Sequence, residues 1–313
     1  MKKEREGNTQ TYAEWKTEFL QHLPVEFVKR IAQNFLENVD QVDALIQMPQ
    51  VLFGFLEIDN QYKNLFADLA KEHWGSDYTS FLVDMLEKWN EKRNETRSEK
   101  FWDLTADRIK RTLDAPSYGS SLKKSMEVLR SAAVSASWTA FECLAGDLWV
   151  GALNENPRPL AQMAITTLSR DDDEVNPKQI SVGLAAKYGF DLRHCLGSIL
   201  KSRFDFTSVS GIRKAYKVFG EDAYLNETLE SPTLLKLEIT RHLIVHRGGV
   251  VDEEYRKRSK IDAELGHPLT LSEESVAELR GAMREAGIRL LAFVNDKSAE
   301  DDSTRSQEII TTA

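Results

Sequence analysis

The chain has 313 residues, roughly twice the usual length of one domain, so two domains or one large helical domain are expected. Its 41 Lys+Arg against 50 Asp+Glu give a formal charge of −9, which excludes indiscriminate coating of nucleic acid by bulk charge and confines any such contact to a local patch. A composition of 41% hydrophobic and 29% charged residues excludes disorder as the main state.

Eight prolines and sixteen glycines are few for this length, and apolar residues recur at helical spacing almost throughout, so the chain reads as all-α. Tyr12, Trp15 and Phe19 form a first stripe, and Val28, Ile31, Phe35 and Val39 a second. Tyr78, Phe81, Met85 and Trp89 form a third, and Trp102, Ala106, Ile109 and Leu113 a fourth. The segment from Asp114 to Ser121 then gathers Pro, Gly and Ser, and predicts a boundary that divides an N-terminal helical domain, residues 1–115, from a domain over 116–296.

Beyond that boundary a long helix is expected from about Leu122 to Asn154, stopped ahead of Pro157. Shorter helices follow over 160–168, 179–187, 192–202 and 212–218. Ser231-Pro232 is a helix start and Gly248-Gly249 a helix stop. A last helix opens with the capping pattern Thr270-Leu-Ser-Glu273 and carries Val276, Leu279, Met283, Ala286, Leu290 and Phe293 on its apolar stripe. Residues 297–313 read as a polar, disordered tail.

The apolar runs are too short to cross a bilayer, and the start Met1-Lys-Lys-Glu-Arg-Glu-Gly7 lacks the core of a secretory signal, so the expectation is a cytoplasmic protein with no membrane partner. Cys143 and Cys195 each fall inside an apolar helical pattern and read as small core residues. The acidic run Asp171-Asp-Asp-Glu174 lacks the glycine and ligand spacing of a calcium loop and reads as a solvated loop. No phosphate-binding loop, dinucleotide glycine pattern, His-Glu-x-x-His or nucleophile elbow is present, which removes most common enzyme classes.

The informative helix reads Leu234-Leu-Lys-Leu-Glu-Ile-Thr-Arg-His-Leu-Ile-Val-His-Arg-Gly-Gly249. Its apolar residues spread round most of the circumference, as in a buried helix, so Glu238, Arg241, His242 and His246 need partners or a use. One reading is that the cations complement the carbonyl end of the helix while Glu238 pairs with Arg241 or His242. Against a single solvated polar face, Arg241 and His246 stand roughly 140° apart round the axis. In the long upstream helix, Glu142 shares a stripe with Trp138, Ala145 and Trp149, and Arg241 is its candidate partner.

Arg241-His-Leu-Ile-Val-His246, ending a helix before Gly-Gly-Val-Val-Asp252, resembles the Arg-x4–6-His signature of the HEPN superfamily. The stretch Ser131 to Trp149 is similar to the early long helix of its bacterial members, particularly the group associated with RiboL-PSP-type sequences, and the resemblance covers roughly residues 120–296. It implies an up-down helical bundle that forms a homodimer with two copies of the motif facing across a cleft, and a metal-independent endoribonuclease that needs no cofactor. Arg241 and His246 would then be catalytic and His242 substrate-orienting, with Glu142 and Glu238 supporting them. Arg247, Arg256, Lys257 and Arg258 are candidate contacts to an RNA backbone, or a solvated face balanced by Asp252, Glu253 and Glu254. The implied setting is prokaryotic anti-phage defence or a toxin-antitoxin response, with RNA as substrate and a regulatory or antitoxin protein as a further partner. The alternative is a non-catalytic module for dimerisation, nucleotide binding or protein interaction, and a third reading is an unrelated helical scaffold.

Overall fold

Thr11 and Glu14 exchange hydrogen bonds at the start of the first helix, α1 (Tyr12–Gln21): the Thr11 hydroxyl accepts from the Glu14 amide at 3.3 Å, and the Glu14 carboxylate accepts from the Thr11 amide at 2.8 Å. This computed structural model describes residues 11–72, 119–156, 182–190 and 194–312, with a few isolated positions between them. After α1 come α2 (Glu26–Glu72), α3 (Gly119–Glu155), α4 (Val182–Lys187), α5 (Leu196–Leu200) and α6 (Val209–Tyr216). They are followed by α7 (Ala223–Leu229), α8 (Pro232–Arg247), α9 (Glu253–Ser259) and α10 (Glu273–Thr312). The only β feature among the described residues is an isolated antiparallel bridge between Val250 and Pro268, so the expected all-α class holds. None of the described helices is long and apolar enough to cross a membrane. The third and fourth predicted stripes, the 160–168 helix and the acidic run at 171–174 fall largely outside the described residues.

The chain divides into two compact units, residues 1–42 with 131–313 and residues 43–130, and not at the expected boundary near 115. The reason lies in the second apolar stripe. Val28, Ala32, Phe35, Leu36 and Val39 at the start of α2 are almost completely buried, inside the unit that also holds α8 and α10. Gly287 of α10 marks the closest approach: a Cβ there would collide with the Phe35 ring and press on Leu144 of α3. The chain entering α2 is tied down as well, its Val25 amide donating to Asn295 Oδ1 at 3.4 Å. Asn295 and Ser298 are buried at 6% and 9% exposure, so α10 continues to Thr312 where a disordered tail was expected after residue 296. Its first turn is capped by Ser272, whose hydroxyl accepts from the Ser275 amide, and not by Thr270.

Trp138, Phe141, Leu148 and Trp149 of α3 lie at the centre of the larger unit's core. Two reciprocal hydrogen bonds lock α3 to α6: Trp149 Nε1 donates to Ala215 O at 2.9 Å, and the Tyr216 hydroxyl donates to Ala145 O at 2.8 Å. Full burial pushes the Tyr216 phenol well above its ordinary range, which keeps it a donor. The cysteines depart from the expected core placement. Cys143 is exposed and Cys195 half-buried. Partial desolvation and the nearby Asp147 and Glu142 carboxylates raise the Cys143 thiol, which disfavours a reactive thiolate.

Candidate functional site

Helix α8 starts and stops where the sequence signals place it, with Pro232 in its first turn and Gly248 at its end in the left-handed conformation (φ 61°). Both Gly248 and Gly249, the latter at φ 78°, donate their amides to Leu243 O, which closes the last turn. The chain then folds back on the helix: Leu269 N–H donates to Gly249 O at 2.8 Å and Val251 N–H to His267 O at 2.9 Å. Within this loop Asp252 caps α9, accepting from the Tyr255 amide at 2.8 Å. Tyr255 packs with Val251 against Ile239 and Leu243 of α8, and Ile261, Ala263 and Leu269 close over that small cluster. The C-terminal half of α8 is thereby held on one side by a satellite core and left open on the other.

The open side differs from the buried helix expected. Leu234, Leu237, Ile239, Thr240 and Leu243 are buried, whereas His242, Val245, His246 and Arg247 are exposed. Leu235 and Val245 are 40% and 52% exposed on the same face as the two histidines, so apolar composition misled the assignment of this side. One turn apart, the His242 and His246 rings have centroids 4.5 Å apart at 44°. Arg241 is half-buried on the flank of this face, and its side chain has no ion pair with any described residue. The structure thus brings His242 and His246 together, while Arg241 lies on the same helix roughly 100–140° round the axis from them.

The supporting carboxylates go elsewhere. Glu238 Oε1 accepts from Arg258 Nη2 at 2.9 Å, and Oε2 accepts from the Val209 amide at 2.7 Å, in the first turn of α6. At 12% side-chain exposure Glu238 is consumed by capping α6 and holding α9, not by Arg241 or His242. Glu142 is half-buried at the border of the α3 stripe, and no ion pair joins it to Arg241 among the described residues. From that border its carboxylate meets solvent, which removes the need for a buried partner.

The basic cluster divides in the same way. Arg258 is taken up by Glu238 and, at 3.7 Å, by Glu254, so it is not a free contact for a phosphate. Arg247 pairs through Nε with Asp252 at 3.3 Å but is 64% exposed, and Arg256 faces Asp262 at 3.7 Å with 42% exposure. Lys257 is exposed. Exposed pairs of this kind are weak and exchangeable, so Arg247, Arg256 and Lys257 stay open to an anion. Sequence reasoning missed the Glu238–Arg258 pair because twenty residues and a loop separate its members. No group of three or more His, Cys, Asp or Glu side chains among the described residues converges as a metal cluster. No known family model, curated protein or solved structure matches the chain.

Proposed function

We propose that the chain is a metal-independent endoribonuclease of the HEPN type, with its active face on α8. The single observation that carries this reading is the pair of exposed imidazoles, His242 and His246, with centroids 4.5 Å apart on the helix that also carries Arg241, which has no ion pair to a described residue. The chemistry is a transesterification. The ribose 2′-OH attacks the adjacent phosphorus and the P–O5′ bond breaks. His246 accepts the 2′-OH proton, and a protonated imidazole returns one to the leaving 5′ oxygen. The products are a 2′,3′-cyclic phosphate and a 5′-OH. Arg241 holds the phosphate oxygens as charge builds, and His242 orients the substrate. Arg247, Arg256 and Lys257 continue the cationic track beyond the reacting phosphate.

A homodimer presenting two copies of this face to each other fits the exposure of Leu235 and Val245, since apolar side chains flanking the motif favour an occupant other than water. The same exposure favours the second reading, a non-catalytic module that dimerises or binds a partner protein. The setting proposed is bacterial anti-phage defence or a toxin-antitoxin response, in which a regulatory or antitoxin protein restrains the nuclease. Induced expression in a bacterial host separates the two readings. Growth arrest by the wild type and normal growth with His246→Ala at equal protein level are expected; equal growth of both strains favours the binding module.

A further inference from the structure

We propose that His242 and His246 form a chelating site for a divalent transition-metal ion, Zn2+ foremost, on the open face of α8. Side chains four residues apart on a helix stand one above the other, so the backbone already fixes both rings on one side. With Zn–N bonds of about 2.0–2.1 Å and tetrahedral angles, two imidazoles on one ion have ring centres roughly 5 Å apart. The observed separation of 4.5 Å is within about 1 Å of that spacing, so rotation of the two side chains, without movement of the helix, brings a nitrogen of each to one ion. Both rings are exposed, and neither is engaged by a hydrogen bond or ion pair with a described residue, so a nitrogen of each is open to a ligand. Neutral imidazole suits Zn2+, Ni2+ and Cu2+, whereas Mg2+ and Ca2+ need oxygen donors.

The surrounding charge permits a cation. His242 lines a shallow hollow together with Asp252 and Glu254, and Asp252 also holds Arg247. Arg241, half-buried on the flank, and Arg258, tied to Glu238, are the opposing charges. As no third protein ligand converges among the described residues, the remaining positions on the ion go to water or to a donor from outside the chain. A site of this type is open. Where the chain acts as the proposed ribonuclease, an ion here occupies the imidazoles that move protons and inhibits cleavage; that consequence rests on the proposed function, whereas the binding itself does not.

Titration calorimetry of the full chain, stripped with EDTA and dialysed, tests the site without RNA. Zn2+ and Ni2+ are expected to bind saturably with one ion per chain, Cu2+ more tightly than Zn2+, and Mg2+ with no detectable heat. His242→Ala and His246→Ala each leave a single imidazole and should weaken Zn2+ binding about tenfold or more, because the second ligand no longer acts intramolecularly. His267→Ala, on the loop beyond α9, should bind as the wild type does. Circular dichroism melts show whether the variants fold, and Zn2+ should raise the melting temperature of the wild type but not of His242→Ala. Absence of saturable binding by the wild type, or binding as tight as the wild type's by folded His242→Ala and His246→Ala, overturns the site.

Discussion

His246→Ala is expected to lower the rate of RNA cleavage by about 10²–10⁴-fold, the usual contribution of a positioned general base or acid. In free energy that is about 3–5 kcal/mol of transition-state stabilisation. Arg241→Ala is expected to lose about 10²–10³-fold, because the charge that builds on the phosphate oxygens loses its fixed donors. Neither change should unfold the chain. His246 is exposed and Arg241 has no ion pair with a described residue, so the stability cost of each stays within about 0.5–1 kcal/mol. Single-turnover cleavage of a labelled RNA, beside a urea unfolding curve for each variant, separates lost chemistry from lost fold. Wild-type rates in both folded variants would remove these residues from the mechanism.

Trp149→Ala is expected to cost about 3–5 kcal/mol of stability, the range for emptying a large aromatic site in a core. The ring has 0% exposure and packs against Phe204 and Phe206 with centroids at 4.7 and 5.7 Å. Its Nε1 also donates to Ala215 O at 2.9 Å, so truncation removes a buried hydrogen bond between α3 and α6 as well. Against a total of about 5–15 kcal/mol for a typical domain, a loss of that size leaves little margin. Trp149→Phe keeps most of the packing and should recover more than half of the loss. A midpoint in urea shifted by less than the equivalent of about 1 kcal/mol in Trp149→Ala would contradict the central place given to this ring.

These two predictions draw on different parts of the sequence. The bounds of α8 were legible because Ser231-Pro232 and Gly248-Gly249 act locally, through a fixed φ at one end and a positive φ at the other. The long helix α3 was legible within a few residues for the same reason, its 3.6-residue stripe being uninterrupted up to Pro157. Partnerships were not legible. Nothing local tells Phe35 that it packs against Gly287, and this placed the expected boundary near 115 while the first 42 residues belong with the C-terminal unit. Nor does local pattern tell Glu238 that its oxygens go to Val209 and Arg258.

The candidate site shows the same limit from the other side. Arg241, His242 and His246 stood out as ionisable groups on an apolar helix, but the exposure of the two histidines follows from where the 249–269 loop folds. Val251, Tyr255 and Leu269 close over Ile239 and Leu243 and leave Leu235, His242, Val245 and His246 uncovered. Periodicity identifies the faces of a helix and not the one that faces solvent. The exposed histidines are a consequence of tertiary packing.

The central claim is that the open face of α8 cuts RNA without a metal. Purified full-length chain incubated with RNA in EDTA, followed by analysis of the new 3′ ends, tests it most directly. The account predicts 2′,3′-cyclic phosphate ends from the wild type and none from Arg241→Ala or His246→Ala at the same enzyme concentration. Intact RNA after prolonged incubation with folded, dimeric wild-type protein, or cleavage that leaves only 3′-OH ends, would contradict it.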